Sequence, residues 1–237
     1  MRSKKHWGDF PFEVQSRLPS SKVISVELPG IGEESHVRPP FSLFGIAQLV
    51  HEKVSLEAPG GRVGILGVSL GGMVALELMG AFPKFYKKAM LVNSSSTLSP
   101  KTKRLRWQVW KDVLAVALEA NKVRREHKVI PHLVNSAEGQ KKMAESWEKV
   151  AKEFQYHPLT PIAQLRAASG FLPSESLKES KEILLIRSMG DLFVDPSCSE
   201  LMSRRFSWEM HDHPWAGHDL AWDDPAWLLG EIESFFS

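Results

Sequence analysis

The chain is short of cysteine, of long apolar runs and of net charge, and each shortage excludes something. One of its 237 residues is a cysteine, Cys198, so no intrachain disulfide can form. That fits a reducing compartment, and a cytoplasmic protein is expected. No apolar run reaches the roughly 18 residues that a membrane-crossing helix needs. The opening Met1-Arg2-Ser3-Lys4-Lys5-His6-Trp7 is basic, but no apolar segment follows it as a secretory signal would require. Thirty Lys and Arg against 28 Asp and Glu leave a net charge of +2, which argues against nucleic acid or a membrane surface as the main partner. Internal repeats and low-complexity tracts are missing. So are the G-x-x-x-x-G-K-[ST] and G-x-G-x-x-G phosphate loops: Gly30-Ile31-Gly32 has Ser35 where a third glycine is needed.

What is present is an alternation of short apolar runs and helical patterns. Apolar residues make up 43% of the chain, enough for one sizeable core. Phe10, Val14 and Leu18 recur at helical spacing. Val23 to Leu28, closed by Pro29-Gly30, reads as a strand ending in a turn. Phe41 to Ala58 reads as a helix. Val63 to Leu66 reads as a buried strand, and Met73 to Phe82 as a helix apolar all round. Lys88 to Asn93 and Glu182 to Arg187 read as further buried strands, and Phe206 to Met210 as a final one. Asp224 to Phe236 closes the chain as a helix with Pro225 in its first turn. Strand–helix alternation predicts an α/β fold, a doubly wound and mostly parallel sheet.

Between residues 100 and 180 the alternation stops. Trp107, Trp110, Leu114 and Leu118 form one helical stripe, and Met143, Trp147, Val150 and Phe154 another. We read residues 100–180 as a helical cap inserted into a core made of 1–99 and 181–237. The cations here, among them Arg104, Arg106, Arg124 and Arg125, read as a solvated face.

The chemistry centres on Gly67-Val68-Ser69-Leu70-Gly71-Gly72, between a short strand and an apolar helix. In a G-x-S-x-G turn the serine sits on a strained strand-to-helix corner that lifts its hydroxyl above the sheet edge. Glycines are expected around it because side chains would strike backbone. The helix starting at Leu70 aims N–H groups outward, so the Leu70 N–H is the expected oxyanion donor. The blander reading is a glycine-rich turn that only packs a helix closely.

A serine nucleophile needs a base, and the base an orienting acid. Asp191 follows the Ile183–Arg187 run and is the better acid candidate. Asp195 competes, although Pro196 and the Ser197-Cys198-Ser199-Glu200 turn suggest that it caps a helix. Three histidines follow the last strand: His211, His213 and His218. His218 leads, since it follows a glycine ahead of the final helix. A metal held by these histidines would lack a recognised closed-site spacing. No metal or organic cofactor is required. Phe193 and Trp215, with Phe171, are the candidates to border a substrate pocket.

These pieces together resemble the α/β-hydrolase superfamily. Glu27-Leu28-Pro29-Gly30-Ile31-Gly32 is similar to that family's D-L-P-G-x-G turn, with Glu27 for Asp. Gly67–Gly71 is similar to its nucleophile elbow. Gly190–Pro196 is similar to its acid loop, and Gly217-His218 with Asp224-Pro225 to its histidine loop. The stretch 191–199 with 213–227 is similar to an uncharacterised bacterial subgroup. The resemblance implies a serine hydrolase acting on a small ester, thioester or related acyl substrate, with Ser69 as nucleophile, His218 as base and Asp191 as acid. One part departs from the pattern. The family's central strand and H-G-type loop, which supplies a second oxyanion N–H, have no convincing counterpart in His6-Trp7-Gly8. The expectation is either residues ahead of Met1, a loop truly missing, or a donor improvised from Arg2 to Lys5. The matching alternative function is a catalytically impaired binding protein.

Overall fold

The computed structural model describes residues 2–106, 109, 119 and 121–237. Its described residues form a four-stranded parallel sheet: β1 (Val63–Val68), β2 (Tyr86–Val92), β3 (Ile183–Ser188) and β4 (Glu209–His213), in that order. In the two middle strands successive side chains go to opposite faces. Ala89 and Leu91 of β2 and Ile183 and Leu185 of β3 join one apolar cluster. There they meet α2 (Leu43–Glu57) and α3 (Leu70–Ala81). Met90, Val92, Leu184 and Ile186 join a second cluster with α1 (Phe10–Arg17) and the last helix, Pro225–Phe236. A strand covered on both faces has to be apolar at every position, which is why β2 and β3 read as unbroken runs.

The helices start where their caps lie. The Ser42 hydroxyl accepts from the Gly45 N–H at 3.1 Å. Asp224 accepts from the Trp227 N–H at 3.1 Å, directly before Pro225. Such caps contribute about 1 kcal/mol each. Between β2 and β3 come α4 (Lys101–Arg104), α5 (Lys122–Leu133), α6 (Ala137–Glu153) and α7 (Thr160–Ser169). Met143 and Trp147 of α6 pack with Ile130 and Leu133 of α5 in a third cluster. The expected stripe of Trp107, Trp110, Leu114 and Leu118 lies outside the described residues. After β3 follow α8 (Ser197–Phe206), β4, the short α9 (Leu220–Asp223) and α10 (Pro225–Phe236).

Two expectations need correction. Val23 to Leu28 forms no strand and belongs to no ladder among the described residues. Its side chains still alternate as a strand's would: Val23 packs on one cluster, Val26 and Leu28 on the other. The Val23 N–H takes the Gln15 side-chain oxygen at 3.0 Å instead of a strand partner. Apolar alternation reports burial on two faces, whereas a strand also needs a paired neighbour. The last strand starts three residues later than expected, because Phe206 ends α8, fully buried and stacked on Trp208. Ser207, at φ 57°, turns the chain out of the helix through the left-handed region.

The N-terminal segment is built into this frame. Ser3 precedes a 3-10 turn (Lys4–Trp7), and the His6 ring is buried, edge-on to Trp147 and Phe154. The Trp147 and Trp222 indole N–H groups both donate to the His6 carbonyl. Burial, with Arg2 nearby, lowers the His6 pKa to about 3. In the unfolded chain this histidine takes a proton below pH ~6.5; in the folded chain it resists down to about 3. Within that window the unfolded state binds more protons, so stability falls as pH falls, by up to about 1.4 kcal/mol per pH unit. Urea unfolding at pH 7.5, 5.5 and 4.5 should show a shallower acid loss for His6→Phe than for the parent. Parallel losses would contradict this account of His6.

Candidate active site

The C-terminal ends of β1, β2, β3 and β4 bring the candidate residues together. Ser69 joins β1 directly to α3 at φ 54° and ψ −115°, a conformation a non-glycine residue keeps only when its surroundings enforce it. Those surroundings are specific. The Ser69 N–H donates to the Val92 carbonyl at 2.8 Å, and the Ser69 carbonyl accepts from the Ser94 hydroxyl at 2.8 Å and the Gly72 N–H at 3.0 Å. A Cβ on Gly67 would stand 2.4 Å from the Gly71 carbonyl oxygen, and one on Gly72 2.8 Å from the Ser94 side chain. Glycine is therefore required at those two places. Gly71 differs from expectation: a Cβ there would meet nothing within 4 Å. Leu70 is the first residue of α3, so its N–H has no intrahelical acceptor.

Asp191 follows β3 by three residues and is buried. Its Oδ1 accepts from the Phe193 and Val194 N–H groups at 2.7 and 3.0 Å, and its Oδ2 lies 2.7 Å from His218 Nδ1. With two backbone N–H groups on Oδ1, Oδ2 is the atom left to accept from Nδ1–H, and Nε2 is the ring nitrogen not engaged by the acid. Arg106 holds the loop from outside by donating to the Asp191 carbonyl at 3.0 Å. The Phe193 ring stacks on His218 with centroids 5.4 Å apart. Trp215 is instead 44% exposed and packs edge-on to His213.

The competing residues have other partners. Asp195 accepts from the Ser197 N–H and hydroxyl at the start of α8. His211 lies between Glu231 and Glu209, and those carboxylates raise its pKa. His213 Nδ1 accepts from the Ala216 N–H, and its Nε2 lies near Asp224. Among the described residues no hydrogen bond joins the Ser69 hydroxyl to His218. The cations of the N-terminal segment, one expected source of an improvised donor, are engaged elsewhere: Arg2 pairs with Asp219, Lys4 with Glu33 and Lys5 with Glu153. The Ser3 N–H donates to His6 Nδ1 and the Lys4 N–H to Glu27.

Sequence reasoning missed the scaffolding of this edge. Asp223 accepts from the Asn135, Ser136 and Gly217 N–H groups, and the Asp219 N–H donates to the Leu133 carbonyl. These bonds join the turn between α5 and α6 to the His218 loop. The Asn135 amide also donates to the Gly190 and Trp215 carbonyls, linking the acid loop to the same turn. A cavity of about 460 Å³ lined by Phe41, Phe44, Glu77, Arg166, Phe171 and Leu172 lies apart, since none of Ser69, Asp191 and His218 lines it.

The model of the alpha/beta hydrolase family matches residues 2–231. The chain belongs to the alpha/beta hydrolase family. Among solved structures, an esterase from Rhodococcus sp. ECU1013 matches with a TM-score of 0.72 at 17% identity, over 99% of this chain and 86% of that one. An esterase from Thermogutta terrifontis matches with a TM-score of 0.70 at 19% identity, over 96% and 84%. At such identities the likeness is one of fold. A poly(3-hydroxyalkanoate) depolymerase from Ectopseudomonas oleovorans is 31% identical over 87 residues, which cover 37% of this chain and only 30% of that enzyme.

The close approach at the elbow gives a direct prediction. Gly67→Ala forces backbone at Gly71 to move, a change expected to cost about 2–3 kcal/mol. In a chain of this size that lowers the melting temperature by about 5–10 °C. Gly71→Ala, entering open space, should melt within about 2 °C of the parent. Equal melting temperatures for the two variants would contradict the packing described here.

Proposed function

We propose that the chain is a serine hydrolase of small esters, thioesters or related acyl substrates, working through Ser69, His218 and Asp191. The observation that carries this reading is the buried Asp191–His218 pair at 2.7 Å on the same sheet edge as a serine in strained elbow geometry. Membership of the alpha/beta hydrolase family and a fold shared with two esterases support it.

The mechanism follows from the hydrogen-bond roles. Asp191 fixes the imidazole with Nδ1–H toward itself, leaving Nε2 to take the Ser69 proton as Oγ attacks the acyl carbon. The tetrahedral oxyanion is stabilised by the Leu70 N–H at the start of α3. Collapse expels the alcohol or thiol, which receives its proton from His218. Water then repeats the cycle on the acyl-enzyme and regenerates Ser69. The reaction needs only these side chains, backbone and water. Phe193, stacked on His218, screens one side of the imidazole and is better placed than the exposed Trp215 to border the substrate.

A non-catalytic binding role is the second reading. One observation favours it: the missing hydrogen bond between the Ser69 hydroxyl and His218. Such bonds are commonly loose without substrate and tighten in the reacting complex, so the hydrolase reading ranks first.

Hydrolysis of 4-nitrophenyl acetate and butyrate discriminates the two. Ser69→Ala should lower kcat at least ~10³-fold, and Asp191→Asn, which permits the wrong tautomer, by about 10⁴-fold. A parent protein no faster than Ser69→Ala would reject the hydrolase reading.

A further inference from the structure

We propose that Asn93 is a positioning residue that sets His218 in register with Ser69; the proposal rests on the roles given to those residues above. Asn93 directly follows β2 and is buried at 3% exposure, so its polar atoms must be satisfied within the protein. All of them are. Its Oδ1 accepts from the Ser188 N–H at 2.8 Å. Its Nδ2 donates to the His218 carbonyl at 2.9 Å, the Ser188 hydroxyl at 3.0 Å and the Gly217 carbonyl at 3.3 Å. Its own N–H extends the ladder to the Ile186 carbonyl at 3.0 Å.

The chemistry of the site selects an amide. One side presents an N–H donor and the other two carbonyl oxygens, so a single group has to accept and donate from adjacent atoms. A carboxylate would set negative charge against two carbonyl oxygens, and a hydroxyl is too short to reach both loops. The backbone agrees: Asn93 has φ 50°, a left-handed value that asparagine adopts more readily than most residues.

The position explains the purpose. The carbonyl of Val92 holds the Ser69 N–H at 2.8 Å, and the next side chain along holds the His218 backbone. Two consecutive residues thus fix the nucleophile and the base relative to one strand end. Ser188, held by the same amide, begins the turn that leads to Asp191. Asn93 touches no reacting atom, and its influence passes through the His218 and Ser188 backbones.

The test uses Asn93→Gly, which accepts the left-handed φ, and Asn93→Asp, which keeps the shape and removes the donors. Ser188→Ala removes one acceptor and serves as the mildest variant. The readout is the low-field proton NMR signal of His218 Nδ1–H, assigned by its loss in His218→Ala, with thermal melting as the check on folding. In folded Asn93 variants the signal should broaden or shift, and in Ser188→Ala shift in the same sense. Ester kinetics run in parallel should show kcat lowered roughly tenfold or more, as small misplacements of reacting groups do, with KM within about twofold. An unchanged signal and unchanged kcat in any folded Asn93 variant would overturn the proposal. A parent that hydrolyses no ester, yet loses the signal on Asn93 substitution, would refute the hydrolase reading while supporting the hold of Asn93 on His218.

Discussion

Everything at this sheet edge depends on keeping one serine in a backbone conformation it would not choose. At φ 54° and ψ −115°, Ser69 is strained, and isolated strand–turn–helix segments would relax it. Three things prevent that. Gly67 lets the backbone of Gly71 approach to a distance no side chain would allow. The Val92 carbonyl captures the Ser69 N–H, and the Ser94 hydroxyl captures its carbonyl. The helix beyond is apolar on nearly every face and is held in the core from Met73 to Met79. Each buried side chain of that size contributes on the order of 1.5–3 kcal/mol, so α3 as a whole can hold a strain of about 1–3 kcal/mol at its first residue.

The histidine side of the edge has a different logic. No secondary structure places His218; a mesh of single hydrogen bonds does. Asn93 binds its carbonyl from the sheet, Asp223 binds Gly217 from below, and Asp219 hands its N–H to the turn between α5 and α6. Arg2 adds an ion pair with Asp219 while lying 4.8 Å over the Trp147 ring. The N-terminal segment, the helices between β2 and β3 and the histidine loop are therefore coupled mechanically. The Ser3 and Lys4 N–H groups are committed to His6 and Glu27 in the same segment, and in the proposed mechanism the oxyanion is assigned to the Leu70 N–H.

Legibility in the sequence followed the range of the forces. The elbow could be read because its signal is local: glycines two residues either side of a serine, between an apolar strand and an apolar helix. The middle strands could be read because burial on both faces removes polar residues from every position. Asp191 and His218 stand out in the sequence because each follows a strand-like run at the edge of the sheet, and their side chains lie 2.7 Å apart. Pairing between distant segments was not legible. Val23 to Leu28 has the composition of a strand and packs as one, but its hydrogen bonds are set by what lies beside it. Phe206 is equally apolar in a helix or a strand, and only the left-handed turn at Ser207 separates the two. A side chain at Gly71 is expected to strike backbone as one at Gly67 does, yet open space stands where it would be. Asn93 ended a predicted strand and passed as its last residue. A polar side chain at the C-terminal end of a fully buried strand, where open α/β sheets place their sites, was the signal available.

The central claim is that Ser69 is an activated nucleophile. Reaction with a fluorophosphonate, followed by peptide mapping, tests it without assuming a substrate. The account predicts one adduct per chain, on Ser69, lost in Ser69→Ala and strongly slowed in His218→Ala. A folded protein that takes up no label, or takes it on a serine other than Ser69, would contradict it.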